Sequence, residues 1–89
     1  SFAMAGPNPA RGSARFNLAV PVSSRVSIKV YDISGRCVAT LAEGQREPGI
    51  YTLYWSGRSS AGGQVGQGIY IVRAEVGGFV RSVKLLWMR

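Results

Sequence analysis

Three observations predict an all-β fold, an immunoglobulin-like antiparallel β-sandwich of about seven short strands. Apolar residues recur at every second position in several segments, the period of a strand with one buried face. Glycine, proline and small polar residues separate those segments, and no stretch holds helical spacing for more than a turn or two. Eighty-nine residues leave room for one core only. Residues 5–89 are expected to form that single domain, with residues 1–4 a remnant of an expression tag or a linker ahead of it.

The elements follow in order. Ala14 to Val20 reads as a strand with Phe16, Leu18 and Val20 on one face, bracketed by Pro7, Pro9 and Pro21, which lack the N–H a ladder needs. Val26, Ile28 and Val30 alternate with Ser27, Lys29 and Tyr31 in the next strand. It ends at Asp32-Ile33-Ser34-Gly35-Arg36, whose short polar side chains and glycine are turn chemistry. A hairpin return through Cys37 to Leu41 is expected, then AEGQREPG as a loop or short edge piece. Gly49 opens a strand through Trp55 with Tyr51, Leu53 and Trp55 on one face and Tyr54 on the other. The last two strands, Gly68 to Val76 and Phe79 to Met88, are joined by Gly77-Gly78, a connection suited to a type I′ turn. In the final strand Val83, Leu85 and Trp87 alternate with Lys84, Leu86 and Met88, so both faces are apolar. Such a strand is either clamped between layers or offered to a partner.

Between Trp55 and Ile69 lies SGRSSAGGQVGQG. Phosphate-cradling glycine loops lead into a helix and often carry a lysine at a set place; neither follows here, so the segment reads as a connecting loop. Other chemistry is equally short of partners. The chain has no histidine and four acids, namely Asp32, Glu43, Glu47 and Glu75, which leaves its serines and Cys37 without a base. One cysteine and no histidine exclude a structural zinc site, a redox pair and an internal disulfide. No catalytic, cofactor or metal site is expected, and Cys37 is expected to be an inert core residue.

The net charge of +7 favours polyanionic partners in general. The cations never form a run and no nucleic-acid-binding signature occurs, so nucleic acid is not expected as a partner. No apolar run is long enough for a transmembrane helix, and SFAMAGPNP has neither part of a secretory leader. Tyr51, Tyr54, Trp55 and Tyr70 suit either core packing or a sugar-stacking face, and alternation favours the core.

Four motifs in order resemble the C-terminal sorting domain of type IX secretion cargo (Por secretion type A), found in Bacteroidetes and relatives. They are also similar to the immunoglobulin-like domain of the flagellar hook-capping protein. Pro7-Asn8-Pro9 resembles the opening motif of the family. Tyr31-Asp32 with Gly35-Arg36 resembles its YDxxGR hairpin. Trp55 and Gly57, then Gly68-Ile69-Tyr70, resemble its tryptophan, glycine-rich loop and next strand; Val83-Lys84-Leu85-Leu86 resembles its closing strand. Ser56 and Ser59 stand where relatives often carry Asp or Asn, which counts against an ion site in the loop.

The resemblance implies a non-catalytic address attached to a cargo domain upstream, held in the periplasm in transit and then secreted or placed at the cell surface. The outer-membrane translocon and a sortase-like peptidase are the implied partners, with an anionic lipopolysaccharide as a further one. Lys84, Leu85, Leu86, Trp87, Met88 and Arg89 are the residues expected to meet the translocon, because a terminal strand can add to a partner's sheet. The motif positions are expected to be mainly structural. The alternatives are a carbohydrate-binding or spacer module of an extracellular enzyme, and a flagellar-cap accessory domain.

Overall fold

The computed structural model describes residues 1–89, and every regular element is a strand. These are β1 (Phe2–Met4), β2 (Ala10–Arg11), β3 (Ala14–Val20), β4 (Ser24–Asp32), β5 (Cys37–Arg46), β6 (Gly49–Trp55), β7 (Gly68–Val76) and β8 (Phe79–Met88). A three-stranded sheet, β1-β3-β6, faces a five-stranded sheet, β2-β8-β7-β4-β5. All pairings are antiparallel except β2 with β8. The expected sandwich is therefore present, with two very short strands added to the six longer ones.

Alternation decides which residues meet between the sheets. Phe16, Leu18 and Val20 of β3 face Val26, Ile28 and Val30 of β4 and Val72, Ala74 and Val76 of β7 across one continuous core. Leu85 and Trp87 of β8 complete it. No polar side chain belongs to the core, so hydrophobic burial and the ladders hold the fold together.

Several expectations change in the structure. Residues 2–4 belong to the fold: β1 pairs with β3, and Phe2 is 1% exposed and stacked on Phe16 with centroids 5.5 Å apart. Cys37 is exposed, not buried. It pairs with Tyr31, an outward-facing residue of β4, and only the bulge that follows brings Ala39 into the core. The segment from Ala42 to Arg46, read as a loop or short piece, extends β5 in register with Ser24–Ile28. The β7–β8 turn has positive φ at Gly77 (60°) but not at Gly78, the pattern of type II′ and not type I′. In contrast, the Asp32–Arg36 turn forms as its sequence demands. Asp32 Oδ1 accepts hydrogen bonds from Ser34 N, Ser34 Oγ and Arg36 N, and its Oδ2 meets the Arg36 guanidinium.

Candidate functional site

The residues singled out at the C-terminal end divide by strand parity. Leu85 (0% exposed) and Trp87 (1%) point into the core and offer no surface, which corrects the expectation that they meet a partner directly. Lys84 and Leu86 are exposed on the outer face of the five-stranded sheet, Met88 is half-buried beside them, and Arg89 is exposed at the end.

The hairpin register supplies their neighbours. Leu86 pairs with Ile69, Lys84 with Ile71, and Ile71 in turn with Tyr31 of β4. The next row sets Ser82, Arg73 and Lys29 side by side. An apolar strip of Leu86, Ile69, Ile71 and Tyr31 thus crosses the sheet at the C-terminal end of β8, with Lys84 inside it and Arg73 and Lys29 along its border. Ile69 and Ile71 were not among the expected partner residues. The signal was present, because a two-residue turn at Gly77-Gly78 fixes Val76 opposite Phe79 and hence every later pair.

The outer edge of β8 is half closed. Asn8 Nδ2 donates to Lys84 O (3.0 Å), and Leu86 N donates to Asn8 Oδ1 (2.9 Å). A side-chain amide has the donor and acceptor of a peptide unit, so Asn8 takes the place of a strand residue on this edge. Ala10 and Arg11 then continue as β2 beside Trp87 and Met88, Ala10 is fully buried, and Arg11 Nη1 donates to Arg89 O. This gives Pro7-Asn8-Pro9 a physical role. It also rules out addition of a new strand over Lys84–Met88 while the Asn8–Arg11 segment stays in place.

The glycine-rich loop, residues 56–67, has a structural task. Trp55, Tyr70 and Trp87 form an aromatic cluster at this end of the core, with Trp55 5.2 Å from Tyr70 and 5.1 Å from Trp87 between centroids. The loop closes over it. Trp55 Nε1 donates to Arg58 O, Tyr70 Oη donates to Gly66 O, and Ser60 N donates to Val38 O on the edge of β5. Gly57 is where the loop meets the cluster: its φ is +78°, and a Cβ there would lie 2.3 Å from Trp87 Cζ2. Only glycine fits both the conformation and the space. The Trp87 indole N–H is buried without a hydrogen-bond partner. Because Trp55 and Tyr70 are buried, they form no sugar platform; Tyr54, 64% exposed on the small sheet, stands apart.

Between this loop and the Asp32–Arg36 turn lies a groove of about 590 Å³ lined by Asp32, Cys37, Ser59, Ser60 and Tyr70 among others. The hydrogen bond from Ser34 Oγ, with those from the Arg36 N–H and guanidinium, holds the Asp32 carboxyl below its ordinary 3.8, against a smaller opposing effect of desolvation. Burial pushes the Tyr70 phenol upward, and the Asp32 charge adds to it. Asp32 is consumed in stabilising its turn.

Comparison with known proteins bears on the fold and the family. No curated protein matches the chain in sequence. Among solved structures, dimeric latent PorU from Porphyromonas gingivalis superposes with a TM-score of 0.77 at 23% identity, over 98% of this chain and 9% of that one. FlgD from P. aeruginosa gives 0.63 at 29% identity, over 81% of this chain and 58% of that one. PorZ from Porphyromonas gingivalis, described as an essential bacterial surface component of the type IX secretion system, gives 0.62 at 21% identity, over 93% and 11%. The chain thus spans a small part of PorU and PorZ and a little over half of FlgD. The model of the FlgD Ig-like domain matches residues 5–78, and the chain belongs to that family.

Proposed function

We propose that the chain is a non-catalytic sorting domain, read as a folded unit by the type IX outer-membrane translocon so that an attached cargo is secreted or placed at the cell surface. The observation that carries this reading is the apolar strip of Leu86, Ile69, Ile71 and Tyr31 with Lys84 set in it, on the outer face of the five-stranded sheet. Exposed apolar side chains grouped on a flat sheet suit a protein partner. The likeness of the fold to PorU and PorZ supports the same reading. Within it, Lys84, Leu86, Met88 and Arg89 touch the translocon, while Leu85 and Trp87 hold β8 flat from beneath. A sortase-like peptidase acts upstream of Pro7, and anionic lipopolysaccharide is the eventual anchor of the cargo.

The test is export of a periplasm-directed fluorescent reporter carrying residues 1–89 at its C-terminus, in a host with a working type IX system. The expected result is translocon-dependent surface or medium signal that falls about tenfold or more in Leu86→Asp and in Lys84→Glu, with circular dichroism and melting unchanged because both side chains are exposed. Periplasmic retention of the folded wild-type fusion would refute the sorting role. Full export of both variants would refute the assigned face.

A further inference from the structure

Sheet edges are open templates for another chain unless something covers or distorts them. Here β1 is three residues long, β5 carries two bulges and takes the Ser60 N–H at Val38, and the C-terminal half of β8 is closed by Asn8 and β2. The N-terminal half of β8, Phe79–Val83, pairs with β7 on one side and with no strand on the other. Lys84 O and Leu86 N point outward to Asn8. Main-chain groups of alternate residues share a side, so the N–H and C=O of Val80 and Ser82 point outward as well.

The β6 edge is also unpaired, but only the β8 half-edge adjoins a cavity. That cavity, about 610 Å³, is lined by Phe79 itself with Pro21, Val22 and Val76 and the turn glycines. Its apolar side chains are unusually open: Val22 is 65% exposed and Phe79 46%, with Val80 at 50% next along the strand. The adjacent charge is positive. Lys84, exposed at the end of the half-edge, shares its outer face with Val80 and Ser82 and makes no ion pair.

We propose that Phe79–Val83 is a strand-addition site for an extended segment of an acidic partner protein in which apolar and acidic residues alternate. The segment's main chain pairs with Val80 and Ser82, an apolar side chain enters the cavity on the Phe79 side, and its carboxylates, on the opposite face, meet Lys84. Asn8 limits the added strand at Lys84. A second copy of this chain fits poorly. Symmetric pairing centred on Arg81 sets that residue against itself, and pairing centred on Ser82 brings Val80 opposite Lys84, whose carbonyl Asn8 already holds. The net charge of +7 opposes both. This site is at the other end of β8 from Leu86 and does not depend on the secretion reading.

The experiment uses the whole chain, isotopically labelled, titrated with a short end-capped synthetic peptide in which Asp alternates with Val, Phe and Leu. Amide shifts confined to Val22 and Val76–Val83 are expected. Binding should weaken about tenfold or more in Ser82→Pro, which removes an outward donor without touching the β7 ladder, and in Val22→Asp, which charges the cavity at an exposed position. A peptide with Lys in place of Asp should bind correspondingly less. No binding at about 1 mM peptide, shifts on β5 or around Leu86, or unchanged affinity in both variants would overturn the proposal. So would concentration-dependent self-association of the chain through this same edge.

Discussion

Replacing Gly57 with alanine separates two contributions that the loop combines. A Cβ at this position lies 2.3 and 2.6 Å from Trp87 Cζ2 and Cε2 and 2.7 Å from Gln64 Nε2, and φ is +78°. The left-handed conformation costs an alanine about 1–2 kcal/mol. Gln64 can swing aside, but Trp87 is 1% exposed and wedged against Trp55, so overpacking adds roughly 1–3 kcal/mol. The total is about 2–5 kcal/mol, a large part of the roughly 4–13 kcal/mol a domain of this size has. Gly62→Ala is the internal control, since φ there is +99° and nothing lies within 4 Å of the added carbon. It should show only the conformational part. Urea unfolding of the two variants, followed by tryptophan fluorescence, is the assay. The reasoning is refuted if Gly57→Ala loses no more stability than Gly62→Ala, or if Trp87→Phe in the Gly57→Ala background restores nothing although it shrinks the clashing ring.

Two further predictions test other parts of the fold. Phe2→Ala should destabilise the domain by about 3–5 kcal/mol, because the ring is buried against Phe16; thermal unfolding that leaves this variant unchanged would return residues 1–4 to the status of a tail. The Asp32 carboxyl titrates below 3.8 in the folded chain, so its contribution is complete above that pH and fades as pH falls through the folded value. Asp32→Asn should therefore flatten the acid limb of the stability curve between about pH 5 and pH 2, and an unaltered limb would show that the turn does not hold the carboxylate as described.

Alternation was legible wherever a strand has one face in the core and one in solvent, which is why β3, β4 and β7 follow from the sequence with little change. It failed where that condition fails. Phe2 lies in a strand too short to show a period, and β2 is shorter still. On β5, two bulges leave Val38 and Leu41 without a partner on β4 and break the alternation, so Cys37 faces out where composition alone suggests burial. The polar end of β5, from Glu43 to Arg46, has no apolar rhythm because it lies beyond most of the core. For the candidate site, parity along β8 is readable in the sequence, but alternation alone does not say which apolar face is covered: Leu85 and Trp87 are buried and Leu86 is exposed. The role of Asn8 had no local signal at all, since its partners are 76 and 78 residues away.

That separation bears on when the domain becomes recognisable. Contacts between distant parts of a chain are late and slow to form, because the intervening loop must be ordered first. The bonds from Asn8 to Lys84 and Leu86 need almost the entire domain to have been synthesised and folded between them. A nascent chain that stops before Lys84 leaves the Asn8 amide with nothing to hold, and β2 has no neighbour. The finished edge of β8 therefore serves as a certificate of completion: whatever reads this end of the domain meets it in its final form only where the Asn8 and Lys84–Leu86 segments have found each other.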